Sequence, residues 1–183
     1  MLATQLARLH PLDASKFILT GYSTSTNLTV AAMAFSQLSP ASLHSPSRFA
    51  NVPLGYGVMT SATLREQAFY AGAYDKGIPP VDFAYEDIMT TGEMGSFPWM
   101  SQPAPGYAGD IFVISGDGDA LFCPQEPAGT GCDQALERTR DMFPGHTGGF
   151  AKYVVGGKTG HCLGVHERAG EAVKAVHTWL EGR

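Results

Sequence analysis

A serine, an aspartate and a histidine of this sequence lie in motifs that suit nucleophilic catalysis. Ser23 is the central residue of Gly-Tyr-Ser-Thr-Ser, Asp119 ends Gly-Asp-Gly-Asp, and His161 follows Thr-Gly. A serine hydroxyl becomes a nucleophile when an imidazole accepts its proton and a carboxylate holds that imidazole in place. These residue types therefore predict a site that transfers an acyl group through a serine, provided that the fold brings the three side chains together.

The motif around Ser23 predicts a nucleophile elbow, which is a tight turn from a strand into a helix. Small neighbours are needed across such a turn. Gly21 meets this requirement, whereas Ser25 stands where glycine is usual. The elbow would raise the Ser23 hydroxyl above the sheet and aim the backbone N–H of Thr24 at a substrate oxyanion, with support from the helix dipole. The simpler alternative is that Ser23 only caps the helix.

The acid and the base each have a rival close by in the sequence. Asp117 lies two positions before Asp119 and could orient the imidazole instead, but the offset from Gly116 favours Asp119. His166 is the rival of His161, yet it falls at the start of the last predicted helix, whereas His161 lies in a loop beside glycine. The alternative for each preferred residue is a solvated side chain in a surface turn.

Strands and helices alternate along the parts of the chain that hold these motifs. Strands are predicted at 16–20, 110–115 and 152–155, and helices over Leu2 to Leu9 and at 24–38, 132–142 and 165–181. The apolar runs of the strands are continuous, as in strands that are covered on both faces. This order predicts an α/β fold with a mostly parallel sheet flanked by helices. Ser23, Asp119 and His161 each follow a strand, and the carboxyl ends of parallel strands share one edge, where such sheets place their sites.

Residues 40–100 differ in character from the rest of the chain. Ser and Pro are frequent at the start of this segment, and aromatic residues and Met are dense later. Two short helices are predicted, near 61–73 and 81–91. We interpret 40–100 as an inserted cap that is not part of a sheet, and 1–39 with 101–183 as the α/β core. The aromatic residues favour an apolar substrate, or they only pack the cap onto the core.

The composition excludes several classes of protein. Hydrophobic residues make up 44% of the 183 residues, which is enough apolar surface for a core and argues against a disordered chain. The 12 Lys and Arg residues against 17 Asp and Glu residues leave no basic surface for nucleic acid. No apolar run approaches the roughly 20 residues that span a bilayer.

The cysteines leave two alternatives open. Cys123 and Cys132 either form a disulfide that closes a short loop or remain two reduced thiols. A metal site built from the three cysteines with His161 and His166 is disfavoured, because the spacings match neither CxxC nor HExxH. No metal or organic cofactor is predicted.

Three segments together resemble α/β-hydrolase superfamily proteins of the kind common in filamentous fungi. They are Phe17–Asn27 around the elbow, Ser115–Cys123 around the acid, and Thr159–Leu163 around the histidine. The chain order Ser, Asp, His is also that of α/β-hydrolases. The resemblance implies a triad of Ser23, Asp119 and His161, with the N–H of Thr24 as an oxyanion donor and an ester-like bond of a small, apolar substrate as the target. Gly55-Tyr56 and Phe69-Tyr70 resemble the cap of the same group.

The position of the elbow near the start of the chain departs from that family. Several strands and a second oxyanion donor normally precede the elbow, so the resemblance implies that this chain corresponds to the C-terminal half of such an enzyme. The strand at 16–20 would then lack a neighbour on one side, and an unpaired apolar strand invites self-association. The alternative function is therefore a catalytically inactive remnant that binds a partner or a second copy of itself.

Overall fold

The computed structural model describes residues 2–96, 102–124 and 131–182. The elements follow one another as α1 (Leu2–Leu9), β1 (Lys16–Thr20), α2 (Leu28–Phe35), β2 (Leu38–Pro40), α3 (Ala41–His44), α4 (Pro46–Phe49), β3 (Tyr56–Met59), α5 (Ala62–Phe69), α6 (Ile78–Ala84), β4 (Met89–Thr90), α7 (Thr91–Gly95), β5 (Asp110–Gly116), α8 (Cys132–Arg138), β6 (Phe150–Val155) and α9 (Ala169–Leu180). Short 3-10 turns occupy Thr139–Met142 and Leu163–Val165. None of these described helices is long and apolar enough to cross a membrane.

The predicted α/β fold with a parallel sheet is confirmed. Strands β1, β5 and β6 pair in parallel in the order β1-β5-β6. β5 is the central strand, and its residues from Ile111 to Gly116 are all buried. β1 lies at an edge of the sheet, so the described residues give it a neighbouring strand on one side only. The carboxyl ends of all three strands meet at one edge, as the parallel arrangement requires.

The two faces of the sheet are covered by different helices. Phe17 and Leu19 of β1 lie in the core cluster that also includes residues of α1 and α8. The opposite face packs on α9, where Phe112 stacks on Trp179 with ring centroids 5.3 Å apart. Ile18 points to this second face and stays partly exposed, so β1 alternates between buried and partly exposed residues and is not covered equally on both faces.

Two helices begin later than the sequence predicts. The helix predicted at 24–38 is α2, which starts at Leu28 because the side chain of Asn27 accepts the N–H of Val30 and caps it. Its end is also earlier, since Leu38 pairs with Met59 in a strand. The helix predicted at 165–181 is α9, and it begins at Ala169, after a 3-10 turn and one extended residue.

The segment predicted as a cap contains a small sheet of its own, which corrects the expectation that it has none. Strands β2, β3 and β4 form an antiparallel sheet that is separate from the parallel one. The helix predicted near 61–73 is present as α5, which is shorter, whereas the helix predicted near 81–91 is only partly correct, because α6 ends at Ala84 and β4 occupies Met89–Thr90. Residues 97–101, which include part of the aromatic stretch of this segment, lie outside the described residues.

Candidate active site

Asp119 and His161 are in direct contact at the carboxyl edge of the sheet. Asp119 follows β5 and His161 follows β6, and an oxygen of the Asp119 carboxylate lies 3.0 Å from Nδ1 of His161. Asp119 is fully buried, whereas the His161 side chain keeps 23% of its surface exposed. The pairing of a buried carboxylate with a partly exposed imidazole is the arrangement that holds a general base in one orientation.

The carboxylate of Asp119 is held by three further hydrogen bonds. Its Oδ2 atom accepts the Ser115 hydroxyl at 2.6 Å, and Oδ1 accepts the backbone N–H groups of Leu121 and Phe122 at 2.9 and 3.0 Å. Burial alone would raise the pKa of this carboxyl, but the hydrogen bonds from His161, Ser115 and Phe122 outweigh it and lower the pKa of Asp119 below its ordinary value. Asp119 is therefore ionised at neutral pH.

Asp117, the alternative partner for the imidazole, binds a backbone N–H group instead. Its Oδ1 atom accepts the backbone N–H of Thr159 at 2.9 Å. Asp117 thus ties the turn after β5 to the turn after β6, while Asp119 contacts the imidazole. The preference for Asp119 over Asp117 as the partner of His161 agrees with this geometry.

The imidazole of His161 packs near two aromatic rings and against the backbone of Gly21. The ring centroids of Phe69 and Phe122 are 5.5 and 5.4 Å from that of His161. A Cβ atom at Gly21 would lie 3.0 Å from Cε1 of the imidazole, and the backbone of Gly21 is left-handed, with φ +57°. Glycine is therefore required at position 21 both for its conformation and for the close approach of His161.

Ser23 is fully buried, and its hydroxyl is engaged with the backbone. The hydroxyl donates to the carbonyl oxygen of Phe122 at 2.5 Å and accepts the N–H of Ser25 at 3.0 Å. In the described part of the chain, no hydrogen bond joins Ser23 to His161. The left-handed residue of this turn is Gly21, not Ser23.

Phe122 connects the three predicted residues, which the sequence did not reveal. Its carbonyl accepts the Ser23 hydroxyl, its N–H donates to Asp119, and its ring packs on His161. The only sequence signal is its place three residues after the acid, in an apolar stretch. The structure thus joins Asp119 to His161 directly and Ser23 to both through Phe122.

Thr24 and the helix that follows it are placed less favourably than predicted. Thr24 is exposed and, with Ser25 and Asn27, lines a cavity that Ser23 does not reach. Because α2 begins only at Leu28, its N-terminus does not lie directly behind Ser23, so the predicted support from the helix dipole is wrong. The N–H of Thr24 stays a predicted oxyanion donor.

The cysteines do not form a metal site in the structure. Cys123 and Cys132 are joined as a disulfide, which decides between the two alternatives left open above. No three His, Cys, Asp or Glu side chains of the described part of the chain lie together as metal ligands. Burial raises the pKa of the remaining thiol, Cys162, to about 11, so it is a neutral thiol and a poor nucleophile at neutral pH.

No protein-family model matches this chain, and a search of curated proteins finds no significant match. The structure itself shows a mixed α/β fold with a three-stranded parallel sheet flanked by helices.

Proposed function

We propose that this chain is a serine hydrolase of the α/β-hydrolase type, which acts on an ester-like bond of a small, apolar substrate. The observation that carries the proposal is the 3.0 Å contact between His161 and the buried, ionised Asp119. A histidine that is held by a carboxylate at this edge of a parallel sheet can serve as a general base, and Phe122 contacts both this histidine and the buried Ser23.

The contacts of His161 assign its two ring nitrogens different roles in the proposed reaction. Since Asp119 is an acceptor, Nδ1 carries the proton of this hydrogen bond, and Nε2 is left as an acceptor for the Ser23 hydroxyl. The Ser23 oxygen would attack the acyl carbon while Nε2 takes its proton, and the imidazolium would return that proton to the leaving oxygen. Water would then release the acyl group from Ser23 by the same steps, with no metal or organic cofactor.

The hydrogen bond from Ser23 to Phe122 is a barrier that the proposed reaction must overcome. Attack requires the Ser23 hydroxyl to exchange the carbonyl oxygen of Phe122 for Nε2 of His161. Rotation about the Cα–Cβ bond of serine is a small change, but the full burial of Ser23 also requires its covering residues to move. We therefore propose that substrate binding accompanies the opening of this contact.

An apolar cavity beside His161 supports the proposed class of substrate. The cavity has a volume of about 520 Å³. Besides His161 it is lined mainly by apolar residues of β5, of the 3-10 turn and of α9, which include Ile114, Leu163, Val165, Val173 and Val176. A cavity of this size and character accommodates an apolar group next to the imidazole, and Ser23 is not among the residues that line it.

Labelling with a fluorophosphonate probe tests this function, because such probes react with activated serines. We expect the folded protein to be labelled at Ser23, as located by mass spectrometry of the labelled peptide, and Ser23→Ala to abolish the label. Ser25→Ala is the matched control, since it keeps the backbone N–H that Ser23 accepts. Folded protein that stays unlabelled, or a label that persists in Ser23→Ala, would contradict the proposal.

The non-catalytic alternative has its own supporting observations. The Ser23 hydroxyl is hydrogen-bonded to the carbonyl oxygen of Phe122 and not to His161. In addition, β1 lies at an edge of the sheet where a second chain could pair. This alternative predicts association that increases with protein concentration, measurable by light scattering after size-exclusion chromatography. A monomer with esterase turnover that Ser23→Ala removes would eliminate it.

A further inference from the structure

His166 is a buried histidine that the proposed reaction does not use. Its residue surface is only 4% exposed, and its backbone is extended between the 3-10 turn and α9. A buried imidazole needs hydrogen-bond partners for both ring nitrogens. Those partners are not in α9, although His166 lies just before that helix.

Both ring nitrogens of His166 bind the backbone around His161. Nε2 lies 3.0 Å from the N of Gly160 and 3.2 Å from the N of Ala71, and Nδ1 lies 2.8 Å from the carbonyl oxygen of Cys162. Backbone N–H groups can only donate, so Nε2 is the unprotonated acceptor and Nδ1 carries the proton given to Cys162. One imidazole thus holds the residue before His161 and the residue after it.

The same imidazole joins this loop to the end of α5. Ala71 follows α5, and the N–H of Cys162 donates to the carbonyl oxygen of Phe69 at 3.1 Å. The loop around Gly160 lies close to the backbone of Ala71, since a Cβ atom at Gly160 would lie 2.7 Å from the N of Ala71. The ring of Tyr74, farther along the same segment, packs on His166 with centroids 5.6 Å apart.

We propose that His166 is a positioning residue, whose hydrogen bonds to Gly160, Cys162 and Ala71 fix the loop that carries His161 and fasten that loop to the inserted segment. This inference rests on the proposed role of His161 as the general base. His166 touches neither the substrate nor Ser23 in this role. It acts by keeping the imidazole of His161 on Asp119.

Three variants separate this role from a merely structural one. His166→Phe keeps an aromatic ring, which is slightly larger, but loses every hydrogen bond of the imidazole. His166→Gln keeps an acceptor oxygen that can reach the place of Nε2 and accept both N–H groups. His10→Phe is the matched control, because the His10 side chain is 61% exposed. Its contacts are with neighbouring residues such as Asp13 and not with this loop.

The first measurement is amide hydrogen exchange followed by NMR. In His166→Phe we expect the amides of Gly160 and Ala71 to exchange about tenfold faster or more, relative to the amide of Ile114 in the central strand. His166→Gln should restore most of this protection, and His10→Phe should leave it unchanged. Wild-type exchange at Gly160 in a folded His166→Phe variant would overturn the proposal.

The second measurement is the rate of fluorophosphonate labelling at Ser23. We expect it to fall about tenfold or more in His166→Phe and to recover in His166→Gln, because the loop is again held. Folded His166→Phe that labels at the wild-type rate contradicts the positioning role. If wild-type protein is not labelled at all, the proposed function fails, while the exchange at Gly160 and Ala71 still decides whether His166 fixes the loop.

A measurement on the wild-type protein keeps the proposal testable even if the variants do not fold. The ¹⁵N chemical shifts of His166 report which ring nitrogen carries the proton. We expect a protonated Nδ1 and an unprotonated Nε2. Protonation on Nε2 would remove the acceptor for Gly160 and Ala71 and overturn the proposal.

Discussion

The hydroxyl of Ser23 donates to the carbonyl oxygen of Phe122, three residues beyond the acid that holds His161. The same residue, Phe122, donates its N–H to Asp119. One peptide segment therefore contacts both the predicted nucleophile and the predicted acid. A change at the acid is expected to reach Ser23 through this segment as well as through His161.

Removal of the charge of Asp119 should suppress the reactivity of Ser23. Asp119→Asn keeps the size of the side chain but loses the carboxylate that fixes the protonated Nδ1 of His161, so we expect the rate of fluorophosphonate labelling to fall by about 10³-fold or more. This rate is measured by quenching the labelling reaction at successive times and determining the labelled fraction by mass spectrometry. A folded Asp119→Asn variant that retains the wild-type rate would show that the pair has no catalytic role.

Loss of the Ser115 hydroxyl should have a smaller effect. Ser115→Ala removes one of the hydrogen bonds to the ionised Asp119, and we expect the free energy of unfolding to fall by about 1.5–3 kcal/mol. Urea denaturation followed by tryptophan fluorescence measures this change. Ser36→Ala is the control, because its hydroxyl bonds only the carbonyl of Met33 at an exposed helix end. An equal loss in both variants would contradict a special role for Ser115.

The lowered pKa of Asp119 predicts how stability depends on pH. Its folded-state pKa lies below the ordinary value of 3.8, so the unfolded chain binds this proton more readily than the folded protein does. The stabilisation is complete above the unfolded value and is lost as pH falls through the folded pKa. We expect the difference in unfolding free energy between wild type and Asp119→Asn to narrow as the pH falls from about 5 through the unfolded value and on through the lower folded pKa. A difference that widens towards low pH would have the wrong sign.

The parallel sheet was the most predictable part of the fold. The strands at 16–20, 110–115 and 152–155 were placed to within one or two residues at either end, because short apolar runs next to Gly and charged residues mark strands. Burial on both faces was predicted correctly only for 110–115, since β1 and β6 are partly exposed. The small antiparallel sheet was missed, since its strands are only two to four residues long and show no alternation. The start of α2 was predicted four residues too early, because residues 24–27 are polar and Asn27 caps the helix, which begins with the apolar stripe at Leu28.

The contact between Asp119 and His161 was predictable from the sequence, but the hydrogen bond of the Ser23 hydroxyl to Phe122 was not. Asp119 and His161 could be paired from the sequence, because each lies in the connection that follows a strand of the same sheet. The Ser23 hydroxyl bonds a backbone carbonyl that is distant in sequence, and every residue has such a group, so no sequence pattern marks Phe122. The contacts of His166 were hidden for the same reason, since all of its hydrogen-bond partners are backbone atoms.

A side chain at position 21 should displace His161. Gly21→Ala places a Cβ atom 3.0 Å from the imidazole on a left-handed backbone, so we expect a loss of about 1–3 kcal/mol in the free energy of unfolding. The shift of the His161 ring signals in NMR reports the displacement directly. Gly170→Ala is the matched control, because it lies in α9 with open space around it, and it should stabilise the protein by up to about 1 kcal/mol. Unchanged His161 signals in Gly21→Ala would contradict the close approach.

Reduction of the disulfide between Cys123 and Cys132 should destabilise the protein without exposing Cys162. The bond closes a short loop, with the two cysteines nine positions apart, and its loss is expected to lower the free energy of unfolding by about 2–3 kcal/mol.

Alkylation with iodoacetamide counts the thiols. The native protein should react slowly, because burial raises the pKa of Cys162 to about 11. After unfolding, one of the three cysteines should react without reductant and all three with it. The double variant Cys123→Ala, Cys132→Ala is the control and should be insensitive to reductant, whereas three reactive thiols in unreduced wild-type protein would show that the bond is absent.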